Sequence, residues 1–413
     1  MQLKYNNNFV AIFLLVLLGI LSTNCFNMEG WVLIMRRTHW LIFAFSFIII
    51  SLSNITLFKS SIKNFSIYIK YLLLCPIITS FSTLISGGSF TDEFLSDVIV
   101  SSYLLLIPIF TRFEVKEETI IKSLTIIGIL SIVIVVYEQY NPNGEYSIFG
   151  TRLALFFNSD FSDSLQSGEV GSRNNINKYN VGYSLGCLFL CLFYYNQFIL
   201  KRKKVYFFLW VAFCIGLYLY LTRQYMISIC ATLLLSTFMF KGYTHKIYSF
   251  FFIFVFFLLL LSYWDILFKV LTEDYVNDTW TTDIRSECIN VFLTKMLSNP
   301  ISAIGGFGHS THYEMLERIK DHHIADIGFI GQSYYYGIFF TIFYFYFIYI
   351  ALIRYRKQLP LYIKLYVIAT SLISIFIFPY INKISYFIWS CMIYIMKLYI
   401  DENYELTIEQ KRT

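Results

Sequence analysis

Four of the six histidines in this 413-residue chain lie in one polar stretch, from Trp264 to Ala325. Two of them, His322 and His323, come just before Asp326 and a long apolar run. An imidazole titrates near neutral pH, so it can accept a proton from a hydroxyl group. His322, His323 and Asp326 are therefore candidates for chemistry that needs a proton acceptor.

Three arginines outside the basic clusters are candidates for binding an anion. Arg223 lies in a short turn between two apolar runs, and Arg173 and Arg285 lie in polar segments. A guanidinium keeps its charge at physiological pH and can pair with two phosphate oxygens at once. A charge held between apolar helices is costly without a partner or a ligand, so Arg223 is the strongest of the three candidates for binding an anion. The alternative is that Arg223 reaches the phosphates of lipid headgroups.

The composition predicts an integral membrane protein that holds these residues at one face of a bilayer. The chain is 57% apolar and 14% charged, with a mean hydropathy of +0.61. A soluble domain is about a quarter charged. The net charge of +6 comes from short basic clusters between apolar runs, which mark topology and do not indicate nucleic-acid binding.

The apolar runs predict an all-α fold with about 12 transmembrane helices in a single domain, residues 1–413. The basic clusters Lys201–Lys204, Lys241 with Lys246, Arg354–Lys357 and Lys59 with Lys63 and Lys70 fall on one side if the runs alternate, and that side is predicted to be cytoplasmic. Both termini are then cytoplasmic. The pair Arg36–Arg37 falls on the other side and disagrees with this topology. The runs are 9–21, 40–58, 71–85, 94–110, 120–136, 180–200, 205–221, 225–240, 247–264, 327–353, 361–380 and 384–400.

Two long polar loops, 138–179 and 264–325, are predicted to face outward. Their lengths, roughly forty and roughly sixty residues, far exceed the usual connection. The larger is expected to be partly helical, with an amphipathic helix from Asp283 to Ser298 that ends at Asn299–Pro300 and a second helix over 313–320. The glycines of Gly305–Gly308 would let the backbone approach a ligand closely. The tail, Asp401–Thr413, is expected to be disordered.

Three stretches resemble the O-antigen polymerase and O-antigen ligase superfamily. The first has Arg285 opening a helix, then Asn299–Pro300, then Gly306–Phe307–Gly308, then His and Asp before an apolar helix with spaced glycines. The segment 172–182 resembles that family's polar lead into a membrane helix. The turn 221–224 resembles its Ser/Thr-Arg turn between two helices. The resemblance spans roughly residues 120 to 350.

This resemblance implies a multi-pass glycosyltransferase of the bacterial inner membrane with a GT-C-like fold and no cofactor. The donor is an undecaprenyl-diphosphate-linked oligosaccharide, and the acceptor is a sugar hydroxyl. Arg223, Arg285, Arg173 and Lys178 are implied to bind the donor. His323 is the first choice for the general base that takes the proton from the acceptor hydroxyl, and His322 is the second. Asp326 would orient the imidazole or act as the base itself. A chain-length regulator and a flippase of the same pathway are the implied protein partners.

Within the superfamily, a polymerase is favoured over a ligase. The His-Asn pair expected of ligases is absent, because Ile324 follows His323. A flippase or transporter of about twelve helices is the alternative from another class, but transporters tend to show internal repeats and short loops. A membrane component without catalysis is a third possibility.

A metal site is the weaker interpretation of the histidine-rich loop. His309, His312 and His322, with Glu314, could ligate a metal ion. The eight cysteines show no zinc-like spacing either, and we expect no metal.

Overall fold

The computed structural model of the protein describes residues 3–22, 27–28, 44, 48, 50, 52, 55–85, 92–140, 153–154, 172–173, 176–177, 183–219, 223–262, 279–308, 327–375 and 383–412. These residues are almost all helical. The exceptions include two antiparallel pairs of two-residue strands, Asn27–Met28 with Leu153–Ala154 and Ser172–Arg173 with Ile176–Asn177. The fold is therefore all-α in character, as predicted.

The helices of the first part of the chain follow the predicted apolar runs. A 3₁₀ turn at Lys63–Phe65 leads into the helix Ser66–Ile85, and another at Tyr103–Leu105 joins the helices Asp92–Ser102 and Leu106–Arg112. Helices α1 to α5 are Leu3–Ser22, Ile55–Ser61, Ser66–Ile85, Asp92–Ser102 and Leu106–Arg112. Helices α6 to α10 are Glu117–Tyr140, Ser184–Lys201, Lys204–Leu219, Arg223–Met239 and Tyr243–Ser262.

The remaining helices include two short ones beside the candidate site. A π-helical turn at Ile350–Arg354 extends the helix Ile338–Tyr349. Helices α11 to α16 are Thr279–Ser298, Pro300–Gly305, Gly328–Tyr336, Ile338–Tyr349, Leu361–Ile373 and Lys383–Arg412.

Among the described residues, four helical segments are long and apolar enough to cross a membrane: Lys63–Ile85, Glu117–Val136, Ser184–Lys201 and Ile384–Asp401. Shorter apolar helices accompany them, including α8, α9 and α15. Large apolar side chains such as Phe208 and Phe238 lie exposed on the outside of the bundle, 66% and 78% accessible. Exposed apolar surface of this kind suits contact with lipid.

Helix α16 lies at the centre of the bundle. In its most apolar stretch, 78% of the residues are buried, whereas the corresponding share in the segment that contains α3 is 50%. A helix that is apolar on all sides can be buried on all sides. Trp389 of α16 is fully buried, and its ring packs on those of Tyr68, Tyr344 and Phe347. The core around α16 is thus built from aromatic side chains of α3 and α14.

Tyrosine bonds to Glu117 join three helices at one end of the bundle. The Tyr399 hydroxyl donates a hydrogen bond of 2.8 Å to one carboxylate oxygen of Glu117, and the Tyr362 hydroxyl donates one of 2.5 Å to the other. The starts of α6 and α15 therefore lie beside the second half of α16.

Further hydrogen bonds join other helices at the same end of the bundle. Asn64 accepts a bond of 3.2 Å from the Tyr355 hydroxyl and donates one of 3.3 Å to Asp401. Lys364 donates a bond of 3.1 Å to the Arg356 carbonyl and lies within electrostatic range of Lys241. We call this the basic end, defined by the helix termini near residues 63, 112–117, 201–204, 239–243 and 354–361 and by Asp401 within α16. It carries the basic clusters on which the sequence-based topology rests.

The structure corrects one predicted helix and the predicted tail. The run 327–353 was expected to form one helix, but Gly337, at φ +83°, separates α13 from α14. The tail was expected to be disordered, but α16 continues through Arg412. Its residues after Asp401 include Glu, Leu, Gln and Lys, which favour helix, and neither Gly nor Pro.

The loop predictions have mixed outcomes. Helix α6 extends through Tyr140, so the first long loop begins later than residue 138. The helix predicted from Asp283 to Ser298 is present as α11, which starts at Thr279, four residues before the expected Asp283; the predicted amphipathic character is not evident in it. The helix expected over 313–320 and the pair Arg36–Arg37 lie outside the described residues.

Reporter fusions test which face the basic end occupies. A periplasm-specific reporter fused after Lys203 is expected to give no signal, since basic loops stay in the cytoplasm. The same reporter fused after Thr282, in α11, is expected to be active. Enzyme activity in intact cells is the measurement, and fusion protein levels are the control. A signal from Lys203 and none from Thr282 would invert the assignment of the two faces.

Candidate functional site

The structure describes the site residues predicted from sequence only in part. His322, His323, Asp326 and Lys178 lie outside the described residues. The described chain resumes at Ile327, directly after Asp326. Ile327 is only 5% exposed, and it belongs to a small group of buried apolar side chains that is separate from the main core. Ile327 is therefore the described residue nearest to the predicted catalytic segment, and its surroundings are considered below.

The three arginines are described in their backbone but not in their side chains. Arg223 is the first residue of α9, Arg285 lies within α11, and Arg173 belongs to the strand Ser172–Arg173. Helix α9 has 17 residues and ends at Met239, at the basic end. At 1.5 Å per residue it is about 25 Å long. Arg223 therefore begins α9 at the end of the bundle opposite the basic end.

The turn between α11 and α12 follows the prediction that Asn299–Pro300 ends a helix. The Asn299 side chain accepts a hydrogen bond of 3.4 Å from the Ser302 backbone, and Pro300 occupies the first turn of α12. Asparagine is a favourable N-cap, and proline fits the first helical position because no backbone N–H is needed there. The next residues, Ile301–Gly305, are helical rather than an open turn.

Backbone hydrogen bonds hold the chain after α12 against the broken helix α13–α14. The Phe307 N–H donates to the Tyr334 carbonyl at 2.8 Å, and the Gly308 N–H donates to the Tyr335 carbonyl at 3.1 Å. Thr83 of α3 donates a bond of 3.2 Å to the Phe307 carbonyl. Carbonyls near the C-terminal end of α13 thus find partners in another segment. We call the contact of residues 304–308 with 334–337 the junction.

Two glycines make the junction possible. Gly306 has φ +93° and Gly337 has φ +83°. A Cβ on Gly306 would collide with the Tyr335 carbonyl, and one on Gly337 would collide with the Ile304 carbonyl. Each glycine therefore makes room for the other segment's backbone. The glycine cluster was expected to admit a ligand, but Gly306 is used for packing within the protein.

An aromatic cluster covers the junction on the α11 side. The Tyr334 ring lies 4.4 Å from that of Phe292 and stacks at 4.7 Å on that of Phe307. The Lys295 ammonium lies 5.5 Å from the Phe307 ring centroid, within the range of a cation–π interaction. Ile327 belongs to the same cluster. The described chain therefore leaves the cluster after Phe307–Gly308 and re-enters it at Ile327.

Beside the junction lies a pair of polar side chains, Tyr336 and Asp97, which the sequence analysis did not single out. The Tyr336 hydroxyl donates a hydrogen bond of 3.2 Å to the Asp97 carboxylate of α4. Both side chains are half-buried. Asp97 lies inside the apolar run 94–110, and a carboxylate within such a run was the available signal.

Metal ligation finds no support in the part of the chain that the structure describes. Within those residues, no group of three His, Cys, Asp or Glu side chains could hold a metal ion. The histidines of the alternative metal site, His309, His312 and His322, lie outside that part.

Comparisons with protein-family models, curated proteins and solved structures find no match to the chain. Its function is therefore argued from its own residues.

Substitution of Gly337 tests the junction. Gly337→Ala is expected to lower the melting temperature of the purified protein, because the methyl group meets the Ile304 carbonyl in addition to the strain of a positive φ. Gly242→Ala is the matched control, since Gly242 has φ +94° and its nearest neighbour would be 3.6 Å away. That control should show only the backbone strain, about 1–2 kcal/mol. Equal shifts for the two variants would contradict the interlocked geometry.

Proposed function

We propose that the protein is a multi-pass inner-membrane glycosyltransferase of the O-antigen polymerase type. It joins undecaprenyl-diphosphate-linked oligosaccharide repeat units at the periplasmic face. Its support is the resemblance of three sequence stretches, an all-α bundle with long apolar helices, and an arrangement of charges that separates the two ends of that bundle.

The observation that carries the proposal is this separation of the two ends. The basic clusters meet at one end, through contacts such as those of Asn64 with Tyr355 and Asp401. Two long segments, 141–183 and 263–327, the second of which includes α11 and α12, are bounded by the ends of α6, α7, α10 and α13 that lie away from the basic end. Basic loops favour the cytoplasm. The long polar segments then face the periplasm, where a lipid-linked repeat unit that has crossed the membrane is available.

The arginines bind the diphosphate of the donor. In the reaction, the bond between the donor sugar and the diphosphate breaks, and a bond forms between that sugar and an acceptor hydroxyl. Negative charge grows on the departing diphosphate, and cationic groups placed there stabilise it. Arg223, at the start of α9, has the first role, and Arg285, Arg173 and Lys178 complete the set.

The segment before Ile327 supplies the base that removes the proton of the acceptor hydroxyl. His323 takes the proton of the acceptor hydroxyl, His322 is the second choice, and Asp326 orients the imidazole or acts as the base. An extended chain spans at most about 3.5 Å per residue, so connectivity alone keeps His323 within about 14 Å of Ile327. The aromatic cluster at the junction holds Ile327, the residue that directly follows this segment.

A transporter is the second candidate, and the break at Gly337 is the observation that favours it. Broken helices near the middle of the membrane are a hallmark of secondary transporters, whose helix ends face substrate. Here the break faces the protein's own backbone, since Gly337 packs on Ile304 and Gly306. A ligase shares the donor chemistry and differs in its acceptor, lipid A–core.

Replacing Arg223 tests the donor site in cells. Arg223→Lys keeps the charge but loses the planar fork that pairs with two phosphate oxygens. We expect the long-chain ladder of lipopolysaccharide on a gel to collapse to core plus one repeat unit, with the protein still present in the membrane. Arg202→Lys, at the basic end, is the matched control and should leave the ladder intact. An intact ladder from Arg223→Lys would leave contact with headgroup phosphates as the better account of Arg223.

A further inference from the structure

Three cations from three segments of the chain meet at the basic end. The Lys364 ammonium, in the first turns of α15, bonds the Arg356 carbonyl at 3.1 Å and lies within electrostatic range of the charges of Arg356 and Lys241. Lys241 comes two residues after the end of α9, which packs against α15. Lys364 is half-buried, whereas Lys241 and Arg356 are exposed. Among the described residues, no carboxylate forms an ion pair with any of the three.

The start of α15 adds positive potential at the same place. Its first turn contains no acidic residue, and its N-cap residue, Pro360, makes no side-chain hydrogen bond to the helix. A helix carries roughly half a positive charge at its N-terminus. The bond to the Arg356 carbonyl draws the Lys364 ammonium back toward the chain that precedes the helix. Like charges are therefore held together here, and an anion among them would relieve their repulsion.

The chemistry of the three side chains suits a phosphate group. The Arg356 guanidinium can pair with two phosphate oxygens, and the ammonium groups of Lys241 and Lys364 act as point charges beside it. A zwitterionic headgroup such as ethanolamine also needs a partner for its ammonium. In the part of the chain that the structure describes, these cations have no carboxylate among them to supply one. The cluster therefore favours a headgroup that carries only negative charge.

Exposed apolar side chains lie on the membrane side of the cluster. Phe238, in the last turn of α9, precedes Lys241 by three residues and is 78% exposed. Ile353, in the π-helical turn, precedes Arg356 by three residues and is 66% exposed. Both segments run toward the basic end, so these side chains lie deeper in the membrane than the cations. A lipid whose phosphate reaches the cations can place its acyl chains against this apolar surface.

We propose that Lys241, Arg356 and Lys364 bind the phosphate of an anionic phospholipid in the leaflet at the basic end. Basic pockets between helices at a membrane face bind such headgroups by the same chemistry. The inference does not rest on the proposed glycosyl transfer, because it uses only the charges and exposure of residues at the basic end. The bound lipid would hold the turn after α9 against the start of α15.

The test is lipid binding to the purified full-length protein in a neutral detergent, followed by native mass spectrometry. The probes are dioleoyl phosphatidylglycerol, which is anionic, and dioleoyl phosphatidylethanolamine, which is zwitterionic. The wild-type protein should bind the anionic lipid more tightly. Lys364→Gln and Arg356→Gln should each raise its Kd by about fivefold, since a basic residue near an anionic headgroup contributes about 1 kcal/mol. The Kd of the zwitterionic lipid should change little.

The chain offers a matched control in a lysine that already has a partner. Lys122, near the start of α6 at the same end, pairs with Glu118 at 2.7 Å. Lys122→Gln removes the same charge and should leave the Kd of the anionic lipid nearly unchanged. Lys364→Arg keeps the charge and should retain binding. Melting temperatures establish that the variants are folded, and Arg356→Gln, at an exposed position, keeps the test valid if Lys364→Gln does not fold.

Inorganic phosphate distinguishes a lipid from a soluble anion. It carries the same phosphate chemistry but cannot use the apolar surface, so at equal concentration it should not displace phosphatidylglycerol. Displacement would assign the cluster to a soluble anion and overturn the lipid site. Equal Kd values for the two lipids in the wild-type protein, or a Kd that both Lys364→Gln and Arg356→Gln leave unchanged, would also overturn it.

Discussion

The structure depends on one constraint: polar groups inside an apolar medium must find partners within the protein. In lipid, backbone N–H and C=O groups have no water to bond, and each unsatisfied group is costly. Continuous helices meet this requirement, and the junction meets it where a helix breaks. The carbonyls of Tyr334 and Tyr335 receive N–H groups from Phe307 and Gly308, so the interruption at Gly337 leaves them bonded.

The same constraint explains how side-chain hydroxyls and carboxylates are arranged. Glu117 at the basic end is bonded by two tyrosines, and Asp97 beside the junction is bonded by Tyr336. The two pairs differ in their surroundings. Glu117 lies in a network that ties three helices together at the basic end, whereas Asp97 joins α4 to the last residue of α13.

Sequence patterns predicted the helices well because their signal is local. Apolar length located helices such as α6 and α7, and Asn299–Pro300 located the end of α11. The break at Gly337 was missed because it depends on the Ile304 carbonyl, more than thirty residues earlier in the chain. Asp97 was missed for a similar reason, since its partner Tyr336 lies 239 residues away. Periodicity within a short window carries no information on such contacts.

The central claim is that this protein alone lengthens lipid-linked saccharides, and reconstitution tests it most directly. Purified protein in liposomes would receive an undecaprenyl-diphosphate-linked repeat unit as its only substrate. The account predicts lipid-linked products of two or more repeat units, with release of undecaprenyl diphosphate. Movement of the repeat unit across the bilayer without a new glycosidic bond, or transfer only when lipid A–core is added, would contradict it.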